Sequence, residues 1–152
     1  AGMSPLTAEA DIRATIGLHF QDTINQLAPG RDAAFTEVAV AAYREFWRPR
    51  ETDIPCYPDA VDVIRELQPR VKMAVATGKS RRGLDMAFDV TALGPCFTAS
   101  RTADEAARGK PHPDMINDVL AAAGVEPEAT VMVGDSPLDM KMAVAAGVRA
   151  LG

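Results

Sequence analysis

The first third of the chain has the hydrophobic spacing of successive helices. Apolar residues recur every three to four positions, which predicts helices over residues 7–17, 20–27 and 32–47. Thr7 and Asp32 are the expected N-caps of the first and third helices. The third helix carries one continuous apolar stripe, which we expect to pack against its neighbours. The stripe consists of Phe35, Val38, Ala39, Ala42, Tyr43 and Phe46.

After residue 57 the pattern changes to short apolar runs that alternate with helical segments. The runs 71–76, 97–100, 130–133 and 148–151 have the length of strands, and helical spacing fills the intervals between them. A further helix precedes the first run, with Pro58 expected in its first turn. The run 71–76 is apolar throughout, which is typical of a strand covered on both faces. This alternation predicts an α/β fold, a parallel sheet with right-handed crossovers and flanking helices.

Length and composition place the chain among ordinary soluble domains. It has 152 residues, 47% hydrophobic and 24% charged, which argues against disorder, collagen-like repeats and a coiled coil. The 27 alanines and the 5% aromatic content predict a core of aliphatic side chains packed against small neighbours. The net charge of -5 argues against nucleic acid or an anionic membrane as the main partner.

The remaining composition favours a cytoplasmic protein. No apolar run approaches the roughly 20 residues of a membrane span, and the first residues lack the features of a secretion signal. Cys56 and Cys96 stand alone without metal-ligand spacing, so neither a zinc site nor a disulfide framework is predicted. Two reduced thiols agree with a reducing compartment.

Candidate chemistry follows the strands, because ligands of parallel sheets bind beyond the carboxyl ends. This rule selects residues 77–78, 101–102 and 134–135. The segment TGKS, residues 77–80, places a hydroxyl, a glycine and a lysine at the start of a helix, whose free N–H groups favour an anion. The alternative is that Thr77 or Ser80 only caps that helix.

Two further segments carry charged groups. In GDSPLD, Asp135 and Asp139 are one helical turn apart, so their oxygens suit Mg2+. Their alternative role is to stabilise a helix N-terminus. In GKPHPD, Lys110 is a candidate for neutralising phosphate or carboxylate charge, although most lysines are simply solvated, and His112 is expected to be a turn residue. The motifs GxSxG, HExxH and GxxxxGK[ST] are absent.

Taken together and in order, three segments resemble the second, third and fourth motifs of the haloacid dehalogenase-like (HAD) superfamily. They are VKMAVATGKS, RGKPHPD and TVMVGDSPLDMKMAVAAG. The helical first third resembles a cap domain, and TADEAARGKPHPDM is most similar to the phosphoglycolate phosphatase-like branch. The resemblance implies a partial helical cap over residues 1–56 and a partial Rossmann-like α/β core over residues 57–152.

The resemblance also implies an activity, the Mg2+-dependent hydrolysis of small phosphomonoesters through an aspartyl-phosphate. GD in the fourth motif favours a Mg2+ phosphatase over a metal-free dehalogenase. The implied residues are Thr77, Gly78 and Lys79 for phosphate, Lys110 for catalysis by offsetting charge, Asp135 for Mg2+, and Ser136 with Asp139 to support the metal site.

The first motif of the family, Asp-x-Asp, does not occur in the sequence. In the family its carboxylates are the nucleophile and the general acid and base, and its strand lies between those that end at Thr77 and Asp135. We therefore expect part of a longer enzyme, inactive as written, that is unstable or recruits a substitute strand by dimerisation or swapping.

Alternatives from other functional classes remain open. One is a catalytically silent module that binds phosphate or metal, and another is a structural α/β interaction domain in which Thr77 and Asp135 are helix caps. Within the family, mutase, phosphonatase and dehalogenase activities are further alternatives. The substrate itself is not predicted.

Overall fold

The computed structural model describes residues 9–18, 20–50 and 56–152. The elements are α1 (Glu9–Arg13), α2 (Phe20–Leu27), α3 (Ala33–Trp47), α4 (Ala60–Leu67), β1 (Ala74–Thr77), α5 (Arg81–Thr91), β2 (Ala99–Thr102), α6 (Asp114–Ala123), β3 (Val131–Val133), α7 (Pro137–Ala145) and β4 (Arg149–Leu151). The predicted order of helices and strands is therefore confirmed. The predicted cap Thr7 lies outside the described residues, as do residues 51–55 of the expected link.

The strands form two parallel pairs. β1 pairs with β2, with Thr77 opposite Thr102, and β3 pairs with β4, with Val133 opposite Leu151. In the described part of the chain no ladder joins β1 to β3, so each of these strands has one edge without a strand partner. The architecture is the α/β fold predicted, with the sheet divided between the strands that end at Thr77 and Val133.

One hydrophobic core serves both strand pairs. Its buried members come from α6, α7 and the segment before β4, and they are Met115, Ile116, Leu120, Met142, Ala143 and Val148. Ala76 of β1 and Met132 of β3 both pack against this cluster. The two strand pairs are therefore held in one unit by shared side-chain packing.

The strands are more open than the sequence predicted. Val71, expected at the start of the first strand, is 52% exposed and precedes β1, and no residue of β1 is fully buried. On β3, Met132 packs on the core whereas Val133 is 70% exposed. Because side chains alternate between the faces of a strand, the core covers only one face. On β1 the adjacent residues Val75 and Ala76 point to opposite faces and both are half-buried, so the first strand is partly covered on both faces and not fully buried as expected.

Other element boundaries also differ from prediction. α1 ends at Arg13, four residues before the expected stop at Gly17. β2 begins two residues late, because residues 94–96 form a 3-10 turn and the Phe97 N–H bonds to the carbonyl of Gly94 at 3.1 Å. α4 begins at Ala60, so Pro58 precedes the helix.

Helix α3 begins as predicted, but only part of its predicted apolar stripe is packed. The carboxylate of Asp32 accepts a hydrogen bond from the Phe35 N–H at 2.8 Å, which confirms the N-cap. Val38 and Phe46 of the predicted stripe are exposed by 69% and 60%, whereas Tyr43 contacts Phe20. The packed face therefore overlaps the stripe but is rotated away from Val38 and Phe46.

The packed face of α3 is marked by a polar residue. Thr36 and Val40 are the buried residues of the helix, and the Thr36 hydroxyl donates to Asn25 Oδ1 of α2 at 2.9 Å. One turn further along, the Tyr43 ring lies 4.3 Å from the Phe20 ring. The alanines of α3 lie on several faces of the helix, so apolar spacing alone does not identify the packed face.

The structure also describes both cysteines and the lengths of the helices. Cys56 is exposed and Cys96 is buried, and both are free thiols. Within residues 9–18, 20–50 and 56–152, no helix combines the length and apolar character needed to cross a membrane.

Candidate active site

The loop after β1 presents the predicted anion-binding residues. Thr77 is half-buried at the end of the strand, and its Oγ1 accepts a hydrogen bond from the Lys79 N–H at 3.2 Å. Gly78 and Lys79 are exposed, and a Cβ at Gly78 would meet no atom within 4 Å. Packing inside the chain therefore does not require glycine here, and the space beside this backbone is open.

The N-terminus of α5 is less available than predicted. Ser80 caps the helix by accepting from the Gly83 N–H at 3.2 Å, so the capping role considered for Ser80 is confirmed. The Arg81 N–H donates to both carboxylate oxygens of Asp104, at 2.9 and 3.2 Å. Two N–H groups of the first turn already have acceptors, which corrects the expectation of a free helix N-terminus. The open donors belong to the loop, not to the helix.

The loop after β3 is organised by a capping box. Ser136 Oγ accepts from the Asp139 N–H at 3.3 Å, and Asp139 Oδ2 accepts from the Ser136 hydroxyl at 2.6 Å and from its N–H at 3.2 Å. Ser136 is thus the N-cap of α7. Of the two carboxylates with a helix-stabilising alternative, Asp139 takes that role in the capping box, and Asp135 is exposed beside the cap.

Close packing fixes the backbone at the start of this loop. A Cβ on Gly134 would lie 2.7 Å from Cγ of Asp139, well inside van der Waals contact. The Gly134 N–H donates to the carbonyl of Leu151 at 3.0 Å and so extends the pairing of β3 with β4. Glycine is required at position 134 because the Asp139 side chain packs directly on its backbone.

Lys110 meets Asp139 in a largely buried ion pair. Lys110 Nζ lies 2.6 Å from Asp139 Oδ1, and the two side chains are only 13% and 3% exposed. Burial by itself raises the pKa of Asp139, but the hydrogen bonds from Lys110 and Ser136 together with the Lys110 charge outweigh it. The pKa of Asp139 is therefore below its ordinary value of 3.8. Lys110 is not a simply solvated lysine.

The helical part of the chain lies directly on this loop. Gly17 has a φ of +91°, and a Cβ there would lie 2.9 Å from Ser136 Oγ and 3.4 Å from Leu138 Cδ1. The sequence predicts a helix stop at Gly17, but α1 ends at Arg13, so Gly17 lies in the turns that follow the helix and not at its C-terminus. The segment after α1 therefore covers the first turn of α7.

The end of β2, residues 101–102, belongs to a side-chain network that the sequence did not reveal. Arg101 pairs with Asp118 of α6 at 3.0 Å. Thr102 is fully buried, and its hydroxyl lies 2.6 Å from Asp104 Oδ1 and 2.9 Å from Glu105 Oε2. Glu105 also pairs with Arg81 at 2.7 Å.

These contacts change the acidity of both carboxylates. The hydrogen bond from Arg81, followed by those from Thr102, lowers the pKa of Glu105 to about 2 against burial. The hydrogen bond from Thr102 lowers the pKa of Asp104, helped by the Arg81 N–H. Both groups are ionised at neutral pH. The strand-end rule selected Thr102. Its contacts with Asp104 and Glu105, and theirs with Arg81 of α5, form only once β1 and β2 have paired.

The candidate residues fall into two groups in the structure. Lys110, Ser136 and Asp139 form one connected cluster next to Asp135, and Thr77 with Lys79 forms the other. No hydrogen bond or ion pair among the described residues joins the two groups, and these residues contain no set of three or more His, Cys, Asp or Glu side chains arranged for a metal. Asp135 is the exposed carboxylate of the β3 loop. One carboxylate fits Mg2+ when water and phosphate supply further oxygens.

Comparisons with known proteins agree with this architecture. The family model for haloacid dehalogenase-like hydrolases matches residues 2–152. The chain is 29% identical over 144 residues to the pyrophosphatase PpaX of Anoxybacillus flavithermus. The aligned region covers 93% of this chain and 65% of that protein. It is 36% identical over 115 residues to phosphoglycolate phosphatase 1 of Pseudomonas aeruginosa. This aligned region covers 75% of this chain and 42% of that protein.

A solved structure supports the same fold. A protein from Bacteroides fragilis, described as a haloacid dehalogenase-like hydrolase, superposes with a TM-score of 0.90 at 20% identity, over 98% of this chain and 71% of that chain. The chain spans only 42% to 65% of the length of the two curated relatives. The predicted resemblance to the superfamily and to its phosphoglycolate phosphatase-like branch is confirmed. The chain belongs to the haloacid dehalogenase-like hydrolase family.

Proposed function

We propose that this chain supplies the phosphate-binding and Mg2+-binding part of a phosphatase for small phosphorylated metabolites. The observation that carries the proposal is the buried ion pair between Lys110 and Asp139, directly beside the exposed Asp135 at the end of β3. Burying a charge is costly without a partner, and Asp139 holds the Lys110 ammonium group beside the loop that we propose binds metal and phosphate. Family membership supports hydrolase chemistry at this position.

The loop after β1 has the donors that a phosphoryl group requires. Because Thr77 Oγ1 accepts from the Lys79 N–H, its own proton remains available to a phosphoryl oxygen. The open space beside Gly78 lets phosphate approach the backbone, and Lys79 adds positive charge. We assign phosphate binding to Thr77, Gly78 and Lys79 on these grounds.

The loop after β3 would hold the metal. Asp135 would ligate Mg2+, which when bound neutralises phosphate charge and polarises a phosphoryl oxygen. Ser136 and Asp139 would act indirectly, because their capping box fixes the backbone that carries Asp135. Lys110 would offset the charge of the nucleophile and of the phosphate.

The nucleophile is the part that these 152 residues do not contain. The sequence has no Asp-x-Asp, and within the described residues β1 and β3 each have an edge without a strand partner. We place the nucleophile and the general acid and base on a strand that enters between β1 and β3 and brings the two groups of residues into one site. Without that strand the chain binds ligand but does not turn it over.

The relatives indicate two substrate classes. One is named a pyrophosphatase and the other a phosphoglycolate phosphatase. We favour a small phosphomonoester, because the segment TADEAARGKPHPDM resembles the second branch. The net charge of -5 does not favour nucleic acid as the substrate.

Phosphate release from 2-phosphoglycolate and from pyrophosphate tests this function. The 152-residue chain should release no phosphate, whereas a version extended ahead of Ala1 by a strand with Asp-x-Asp should show Mg2+-dependent release. Asp135→Ala in the extended version should abolish the Mg2+-dependent release of phosphate. Lys141→Ala, on the exposed side of α7, is the control and should retain it. Turnover by the 152-residue chain alone would contradict the proposal.

A silent binding module is the second candidate, favoured by the absence of Asp-x-Asp from the sequence. Calorimetric titration with Mg2+ and inorganic phosphate separates the two functions. Binding by the extended version without turnover of either substrate would support the silent module. Equal Mg2+ affinity of the unmodified chain and Asp135→Ala would instead support a purely structural domain.

A further inference from the structure

The turn after β2 is tied to the start of α5 by a side-chain network that we call the Arg81 clamp. It consists of Arg81, Ser100, Thr102, Asp104 and Glu105. The Arg81 guanidinium donates to Glu105 at 3.0 and 2.7 Å and to Ser100 Oγ at 3.0 Å. The Arg81 N–H donates to Asp104. The clamp therefore joins segments that are more than 20 residues apart in the sequence.

A buried residue anchors the β2 side of the clamp. Thr102 is 0% exposed, its N–H donates to Glu105 Oε2 at 3.1 Å, and its hydroxyl reaches both Asp104 and Glu105. The carboxylates are thereby held in fixed directions at the surface. The side chains of Arg81 and Glu105 are themselves only about a third exposed, at 32% and 30%.

The clamp brackets the loop that follows β1. Thr77 is fixed at one end by its register opposite Thr102, and Arg81 is fixed at the other end. Between them, the carbonyl of Lys79 accepts a hydrogen bond from the Ala103 N–H at 3.1 Å. The loop's own internal hydrogen bond, from the Lys79 N–H to Thr77, is 3.2 Å long. Most of what orients the exposed part of the loop therefore comes from the turn after β2.

The positive charge of Arg81 is already paired within the clamp and with Asp85. The Arg81 guanidinium is neutralised by Glu105 and Asp85, and Asp104 receives the Arg81 N–H. A direct role of Arg81 in holding phosphate would require it to abandon these partners. Its contacts are instead those of a group that fixes the backbone.

We propose that Arg81 and Glu105 are positioning residues, which hold the 77–79 loop, with its Thr77 hydroxyl and Gly78 N–H, in the conformation that receives a phosphoryl group. The inference rests on the proposed phosphate-binding role of the 77–79 loop. Binding donors must be held to within a fraction of an ångström of the productive geometry, and small displacements cost large factors in affinity.

Nuclear magnetic resonance titration of the 152-residue chain with inorganic phosphate, at fixed Mg2+, tests the inference. The readouts are the amide signals of Gly78 and Lys79 and the dissociation constant they give. Glu105→Ala should move both signals before phosphate is added and weaken binding about 10-fold. Glu105→Gln keeps an acceptor for Thr102 and should restore part of the affinity.

Asp85→Ala is the matched control, because Asp85 also pairs with Arg81, at 3.4 Å, but lies on α5 and does not reach the β2 turn. Its phosphate affinity should equal that of the unmodified chain. Equal weakening by Asp85→Ala and Glu105→Ala would assign the effect to charge near Arg81 and would overturn the inference.

The remaining outcomes separate the inference from the proposed function. If phosphate shifts neither amide signal in the unmodified chain, the proposed function of the loop is wrong and the inference falls with it. If the unmodified chain binds and Glu105→Ala binds equally well, only the inference is wrong. If Glu105→Ala unfolds, Glu105→Gln and Arg81→Lys carry the test, and unfolding of all three would assign the clamp to stability alone.

Discussion

The loops after β1 and β3 are held in opposite ways. The β3 loop is tied within itself, by the capping box of Ser136 and Asp139, and is closed by the buried Lys110. The β1 loop is exposed and depends on contacts from a turn more than 20 residues away. The β3 half of the candidate site is therefore fixed by burial, and the β1 half is fixed by partly exposed ion pairs. The two halves should respond differently to mutation and pH.

Removing the lysine of the β3 loop is expected to have the largest effect. Lys110→Met leaves the Asp139 carboxylate buried without its counter-charge, which should lower the free energy of unfolding by about 3 kcal/mol. Urea unfolding followed by circular dichroism measures this loss. Lys141→Met, at an exposed position of α7, should change the stability by less than about 0.5 kcal/mol. A loss under about 1 kcal/mol for Lys110→Met would show that the pair is not effectively buried.

A pair of glycine substitutions compares the two loops directly. Gly134→Ala forces its Cβ against Asp139 and should lower the free energy of unfolding by about 2 kcal/mol. Gly78→Ala meets open space and should leave the stability within about 0.5 kcal/mol while weakening the binding of inorganic phosphate. Thermal unfolding and phosphate titration are the two measurements. Equal destabilisation by both changes would remove the proposed contrast.

The contact of the helical segment with the β3 loop should have a smaller effect. Gly17→Ala adds a Cβ near Ser136 Oγ at a φ of +91°, so it should lower the free energy of unfolding by about 1 kcal/mol. Gly30→Ala is the matched control, because Gly30 also has a positive φ, +79°, but a Cβ there meets no atom within 4 Å. A larger loss for Gly17→Ala than for Gly30→Ala measures the contact apart from the backbone strain.

The β1 side should show the smallest effect, as a dependence on pH. The pKa of Glu105 is about 2 in the folded chain, below its ordinary value of 4.5. A lowered pKa stabilises the folded state above the ordinary value, and this stability is lost as the pH falls from about 4.5 towards 2. The stability difference between the unmodified chain and Glu105→Gln should therefore shrink over that interval. Urea unfolding of both proteins at several pH values across that interval measures the difference.

Hydrophobic spacing and turn chemistry were sufficient to predict most of the fold. The bounds of α2 and the cap of α3 follow from the order of apolar residues and from Asp32, because these signals are local. The packed face of α3 did not follow, since alanines make several faces apolar and the deciding contact is between Thr36 and Asn25. A contact between helices is a property of their docking, which one helix does not encode.

The same division applies to the candidate site. Ser136 and Asp139 are three residues apart, so the pattern Ser-x-x-Asp contained a capping signal that identifies their mutual contact. The partnership of Lys110 with Asp139 and that of Arg81 with Glu105 cross 29 and 24 positions of the sequence. Such pairs exist only after strands have paired and helices have docked. Sequence motifs therefore located the strand ends but not what holds them.

The unpaired edges of β1 and β3 have a consequence for the handling of the protein. Natural proteins protect such edges with charged side chains, prolines or bulges, and neither β1, with sequence AVAT, nor β3, with sequence VMV, contains a charge or a proline. Val133 adds an exposed apolar side chain at the end of β3. In the absence of a strand between them these edges are templates for aggregation, so the fraction of protein that is monomeric should fall as the protein concentration rises.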